Sequence, residues 1–287
     1  MLHNTLLIVT YDEERYLLET LLQSVHQFLE PCNIVLINGD VNPHVSYDSL
    51  RHLVPNHTFA THLINPPTQV KSWKSWCYAL KILGAELVTT PTYWVLDTKC
   101  FFYRTTVFAQ MEEQHPINLH NIPHTKRFGF RKTVEQIEQY YGIEPMMYRM
   151  NTPPFRFDTV LAQSMSQDVL RSFDTTHTGY AEMLHYQAWC RLYHHPIPRG
   201  TCVSNNSIVY PDQYTTVNAL VRQMKQTDSA IRVTGIHREI LDHKIDEMTY
   251  QAIVHAVTGC RWKWDSNWTF YTLPNQIKEK KMLTERL

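Results

Sequence analysis

The stretch 93–104, YWVLDTKCFFYR, runs four apolar or aromatic residues into Asp97, sets Lys99 two positions later and then turns aromatic again. A buried-looking strand therefore ends on two opposite charges. The carboxylate can accept from hydroxyls or hold a divalent cation, and the ammonium can face a phosphate as a compact charge. The plain alternative is that Asp97 caps the following turn while Lys99 is solvated. Two more carboxylates hold similar places. Asp12 follows Tyr11 after the apolar run TLLIVT, and Asp40 follows NIVLIN and the turn pair Asn38-Gly39. Tyr11 and Asp12 suit a nucleotide base, which they would flank and hydrogen-bond; a helix N-cap explains Asp12 equally well.

Further along, Lys71, Lys74, Tyr78 and Lys81 recur at helical spacing opposite a tryptophan stripe. A solvated basic face is the ordinary reading and a phosphate-facing stripe the functional one. In TGYAEMLHYQAWC the residues Ala181, Leu184, Ala188 and Leu192 make an apolar stripe, leaving Glu182, Tyr186, Trp189 and Tyr193 on another face. Ring faces pack against sugar C–H surfaces, and a carboxylate beside them can take a hydroxyl proton. A surface glutamate is the alternative. His237 ends the strand-like run IRVTGIH and could ligate a metal or donate to a diphosphate, or be structural. The segment 124–133, HTKRFGFRKT, gathers basic side chains around two phenylalanines and suits a loop over phosphate, an acceptor-side element or a single-stranded nucleic-acid patch.

The elements that must position these residues alternate. TLLIVT reads as a strand, and Leu18, Leu21, Leu22, Val25 and Phe28 follow at helical spacing with Asp12 as a candidate cap. NIVLIN is a second strand. Residues 70–88 carry Trp73, Trp76, Cys77, Leu80, Leu83 and Leu87 on one helical face and lead into the strand TYWVLD. MNTPPFRFDTVL, broken by prolines, reads as a loop entering a helix. Strands alternating with helices predict an α/β fold, a Rossmann-like, mostly parallel sheet flanked by helices, with ligands beyond the carboxyl ends of the strands. There is no G-x-G-x-x-G and no P-loop sequence among eight glycines, so a phosphate must be held by side chains or a metal.

At 287 residues and 43% hydrophobic content the chain can bury one large core, which predicts a single domain over 1–287. Lys plus Arg and Asp plus Glu each number 27, so no overall charge draws it to nucleic acid or an anionic membrane. The apolar runs fall short of a membrane span, and the six cysteines form no C-x-x-C pair, which predicts a cytoplasmic chain with reduced thiols and no zinc site.

The start LLIVTYDEERYLLETLLQSV, the helix WCYALKILGAELV and the strand YWVLD with TKCFFYR resemble the nucleotide-sugar half of GT-A-type glycosyltransferases. They are especially similar to an uncharacterised, glycosyltransferase-like family of bacteria and phages whose strand ends in Asp-x-Asp. TGYAEMLHYQAWC is similar to that family's later acidic helix, VTGIHREIL to its late strand ending on histidine, and Lys81 matches a family position. Where the family has its second acidic residue, this chain has Lys99. An Asp-x-Asp pair holds Mn²⁺ or Mg²⁺ against the diphosphate leaving group, a task an ammonium cannot share.

The resemblance implies transfer of a sugar from a nucleotide-sugar donor to a glycan, lipid-linked, protein or nucleic-acid-linked acceptor, with the nucleotide-sugar-binding half at 1–110 and the acceptor-side half at 111–287. Tyr11, Asp12 and Asp40 would seat the nucleoside, and Lys81, Asp97, Lys99 and His237 would line the ribose and diphosphate. Glu182 would be the base of an inverting reaction, with Asp97 beside it. A metal, if used, would sit on Asp97 and His237; Lys99 favours metal-independent binding. Two other classes stay open: a nucleotide- or sugar-binding protein of the same fold without catalysis, and a nucleic-acid-associated protein.

Overall fold

The computed structural model describes residues 2–40, 46–65, 73–111, 130–148, 153–175, 181–197, 206–210, 213–225 and 231–260. Strand β1 (Thr5–Thr10) is buried along its whole length, as an unbroken apolar and β-branched run must be in the centre of a parallel sheet. A 3₁₀ turn over Asp12–Glu14 leads into α1 (Arg15–Phe28), and β2 (Asn33–Asn38) returns parallel to β1. β3 (Thr58–Leu63) adds outside β2. The chain then crosses through α2 (Trp73–Leu83) to β4 (Thr92–Asp97), parallel to β1 on its other side.

β6 (Phe155–Asp158) closes that side antiparallel to β4, so the described order is β3-β2-β1-β4-β6. This part of MNTPPFRFDTVL is a strand and not a loop. Its prolines precede the pairing residues, and Phe155 and Phe157 alternate inward. A smaller sheet, β5-β8-β7, is built from β5 (Cys100–Phe102), β7 (Asn206–Val209) and β8 (Val233–Ile236).

Period-two alternation divides the core. Leu7, Val9, Tyr93 and Val95 face the layer of α2, α3 (Phe130–Tyr141), α4 (Thr159–Thr175) and α5 (Glu182–Leu192). Leu6, Ile8, Trp94 and Leu96 face α1 and the smaller sheet. A third cluster joins that sheet to α6 (Val217–Lys225), α7 (Arg238–His243) and α8 (Glu247–Thr258). The result is a mixed α/β fold with a mostly parallel central sheet flanked by helices. No described helix is long and apolar enough to cross a membrane.

Asp12 does not cap α1; the residue before the helix is Glu14, whose side chain makes no capping bond. The Asp12 carboxylate is used instead by groups at the end of β2.

Candidate functional site

Strand order reverses at β1: the chain leaves it toward β2 and β3 and comes back on its far side as β4. In open α/β sheets a crevice forms where successive connections leave on opposite faces, outside the carboxyl ends of the strands. Here that place lies between the ends of β1 and β4, where register sets Val9 opposite Asp97. Tyr11 and Asp12 follow β1 directly, and Thr98 and Lys99 follow β4.

Asp97 shares the parity of Tyr93 and Val95, so it points into the layer of α2 and α5. There it meets two ammoniums: Lys81 Nζ lies 2.6 Å from Oδ1, and Lys99 Nζ lies 2.8 Å from Oδ2. Lys81 comes from the last turn of α2 and also reaches Glu182 Oε1 at 2.8 Å, in the first turn of α5. Its Nζ sits 4.8 Å from the centre of the Tyr78 ring. Side-chain exposure falls from 23% at Lys99 and 15% at Asp97 to 6% at Glu182 and 2% at Lys81. Lys99 is therefore the cation that a ligand can reach, and Lys81 is internal.

The environment sets the charges. Burial alone would raise Asp97, but Lys81 and Lys99 outweigh it and hold the carboxyl well below the usual carboxylate range. Burial would lower both lysines, and Asp97 overrides it and keeps them firmly protonated. Glu182 goes the other way: burial raises its carboxyl, Asp97 adds to the rise, and Lys81 offsets only part. Of the two carboxyls, Glu182 is the one whose proton affinity is raised, the direction a general base requires.

A second network joins the ends of β1 and β2. Thr10 pairs with Asn38, and the Gly39 N–H donates to the Thr10 carbonyl at 2.9 Å, so the two chain ends leave the sheet together. Asn38 Nδ2 and the Tyr47 hydroxyl donate to Asp12 Oδ1 at 3.0 and 3.2 Å. The Asp12 N–H donates to Asp40 Oδ2 at 2.6 Å, and the Asp40 N–H donates to Asn38 Oδ1 at 2.9 Å. The Tyr11 ring lies so close to Gly39 that a Cβ there would come 2.8 Å from Tyr11 Cε1 and 3.0 Å from Leu80 Cδ1. Glycine is needed for that approach.

The residue between the two charges is also tied down. The Thr98 hydroxyl donates to Glu14 Oε2 at 2.6 Å, and Glu14 Oε1 pairs with Arg238, which reaches Glu13 as well. His237 sits at the end of β8, where the neighbouring Ile236 N–H donates to the Lys99 carbonyl at 3.4 Å. Its own N–H donates to Val209 O at 2.9 Å, and its ring packs on Tyr210 with centroids 5.3 Å apart.

The structure thus gathers Lys81, Asp97, Lys99 and Glu182 into one cluster, sets Tyr11, Asp12 and Asp40 at the adjoining strand ends, and brings His237 to the strand beside Lys99. It departs from the sequence reading in two places. Lys81 lies on neither a solvated nor a phosphate-facing stripe: α2 packs against β1, α4 and α5, and Ser75, Trp76, Ala79, Leu80, Lys81 and Ile82 are all buried, so Lys81 acts through Asp97 and Glu182 and does not line the diphosphate as expected. Glu182 is not on an open aromatic face either, since Glu182 through Cys190 are buried all round. Lys71 and residues 124–129 lie outside the described residues.

The donor set around Asp97 does not fit a divalent cation. Both carboxylate oxygens already accept from ammoniums, whose positive charge opposes a second cation beside them. Sequence reasoning missed Asn38, Tyr47, Glu14 and Arg238, and it placed Thr98 at the strand end without a role. Only Asn38 carried a signal, the turn pair with Gly39, and it was read for its backbone.

No protein-family model matches the chain, and no curated protein does. Among solved structures it is similar to the galactosyltransferase LgtC, solved in complex with donor and acceptor sugar analogues. The two are 13% identical, with a TM-score of 0.47 over 91% of this chain and 98% of that one.

Proposed function

We propose that the chain is a glycosyltransferase of GT-A type that moves a sugar from a nucleotide-sugar donor to a glycan or other hydroxyl-bearing acceptor, and that it binds the donor without a divalent cation. The observation that carries the reading is Lys99, the partly exposed ammonium of a charge cluster at the strand-order reversal, beside strand ends furnished with carboxylates that can accept from hydroxyls. Asp12, Asp40 and Tyr11 seat the nucleoside. Lys99, held in place by Asp97, faces the diphosphate and stabilises the charge that develops on it as the glycosidic bond to phosphate breaks. Glu182 takes the acceptor proton in an inverting transfer, and His237 stands on the Lys99 side for the leaving group. The order of the five sequence segments supports the same assignment.

A second reading has its own support: Glu182 has 6% side-chain exposure and already engages Lys81, which suits a binding protein without catalysis. Thermal unfolding with nucleoside diphosphates, nucleotide sugars, free sugars and oligonucleotides tests both. At about 100 times its dissociation constant, a nucleotide ligand adds roughly 2.7 kcal/mol. Stabilisation by oligonucleotide alone overturns the proposal. If nucleotide sugars bind, slow donor hydrolysis that drops about 10²-fold in Glu182→Gln marks an enzyme, and its absence in the wild type marks the binder.

A further inference from the structure

Lys99, Asp97, Lys81 and Glu182 form an unbroken chain of alternating charge, with links of 2.8, 2.6 and 2.8 Å. It runs from the accessible end of β4 through the last turn of α2 to the first turn of α5. With all four groups ionised the chain is neutral, two ammoniums against two carboxylates. A proton on Glu182 leaves one uncompensated positive charge, and every other member is held firmly in its charged form.

We infer that Lys81 is a positioning residue that links Glu182 to Lys99 through Asp97, so that an anion bound at Lys99 and a proton taken up at Glu182 favour each other. The assignment of phosphate to Lys99 rests on the proposed donor site; the coupling itself rests on the three contacts. The groups that face Glu182 are Lys81 and Tyr78 from α2 and Asp97 from β4. Glu182 also opens α5, where the helix dipole favours its ionised form. In a transfer reaction the coupling has a defined use. The acceptor hydroxyl forms its bond to the anomeric carbon and loses its proton to Glu182, while the bond from that carbon to the diphosphate oxygen breaks with its electron pair. The proton arriving at one end of the chain leaves net positive charge along it as negative charge grows on the leaving group at the other.

The coupling is first read without ligand, from the ¹³C carboxyl titration of Glu182, assigned by its loss in Glu182→Gln. Lys99→Met removes a cation three links away, and the Glu182 midpoint then moves to higher pH. A midpoint that stays in place overturns the inference whatever the protein binds. The second arm is calorimetry with inorganic pyrophosphate in buffers of different ionisation enthalpy, with Glu182→Gln as the baseline for the probe's own titration. The wild type takes up more protons on binding than the variant, and relative to it loses affinity as pH rises, by at most tenfold per pH unit for one linked proton. Equal uptake in both overturns the linkage. A midpoint that moves, in a protein that binds neither pyrophosphate nor any nucleoside diphosphate, rejects the donor site and leaves the coupling standing.

Discussion

Lys81 and Glu182, 101 residues apart in the chain, meet as a 2.8 Å ion pair with both side chains almost wholly removed from water. Without Lys81, Glu182 would be a buried unpaired charge, whereas Lys81 without Glu182 would still hold Asp97 at 2.6 Å. Lys81→Met therefore lowers stability by about 3–5 kcal/mol in urea unfolding at neutral pH. The double variant Lys81→Met/Glu182→Gln recovers part of the loss, since the orphaned carboxylate is gone. Strict additivity of the two changes counts against the pair as a unit.

Glu182 and Asp97 respond to acid in opposite senses. The native carboxyl of Glu182 is raised above its ordinary 4.5, so the folded state holds an extra proton between that value and the raised one. Over that window stability falls as pH rises. The lowered carboxyl of Asp97 contributes stability that is present above its ordinary 3.8 and lost only in strong acid. Comparing wild type with Glu182→Gln isolates the first: the variant gains relative stability as pH climbs from 4.5 toward neutrality. A pH-independent difference would show that burial does not raise Glu182.

How much of this could be read in advance follows from which contacts are local. The runs TLLIVT, NIVLIN and TYWVLD each lie wholly within one strand, and parallel pairing needs nothing further. Asp97 was legible as a strand end. Its partners were not, because they depend on where α2 and α5 lie across the sheet. Lys81 is four residues beyond Cys77 on the border of the apolar stripe, and a stripe does not say how many layers will cover it. The same holds for α5, where burial from Glu182 to Cys190 comes from α2, α3 and α4 closing around one helix. The N-cap reading of Asp12 failed for a related reason: Asn38 and Tyr47 compete for its carboxylate from outside the local sequence.

Two glycines separate packing from function. A Cβ at Gly84 would run into Leu7 Cδ1 and come within 2.7 Å of Ile37 Cδ1, apolar side chains of the core that take no part in the strand-end network. Gly84→Ala costs about 1–3 kcal/mol of stability and leaves nucleoside diphosphate affinity unchanged. Gly39→Ala pushes on Tyr11, so it weakens that affinity as well. Equal effects of both variants on binding would remove Tyr11 from the nucleoside seat.

Lys99 carries the sharpest expectation, because it is the partly exposed ammonium paired with Asp97. Its Nζ is 2.8 Å from Asp97 Oδ2, and Lys81 occupies the other oxygen. A divalent ion drawn to Asp97 would meet repulsion of order 4 kcal/mol for each unit of charge about 4 Å from an ammonium, at an effective dielectric near 20. Displacing Lys99 into solvent would avoid its share and forfeit its ion pair, while Lys81 has no solvent to move to. Donor binding measured by calorimetry is accordingly indifferent to EDTA, weakens as salt rises because Lys99 is partly exposed, and falls steeply in Lys99→Ala. Lys99→Asp places a second carboxylate beside Asp97 and introduces a dependence on Mn²⁺. If wild-type binding vanishes with EDTA and returns with Mn²⁺, the ion has displaced Lys99 from Asp97, and the ammonium is not the group that holds the diphosphate.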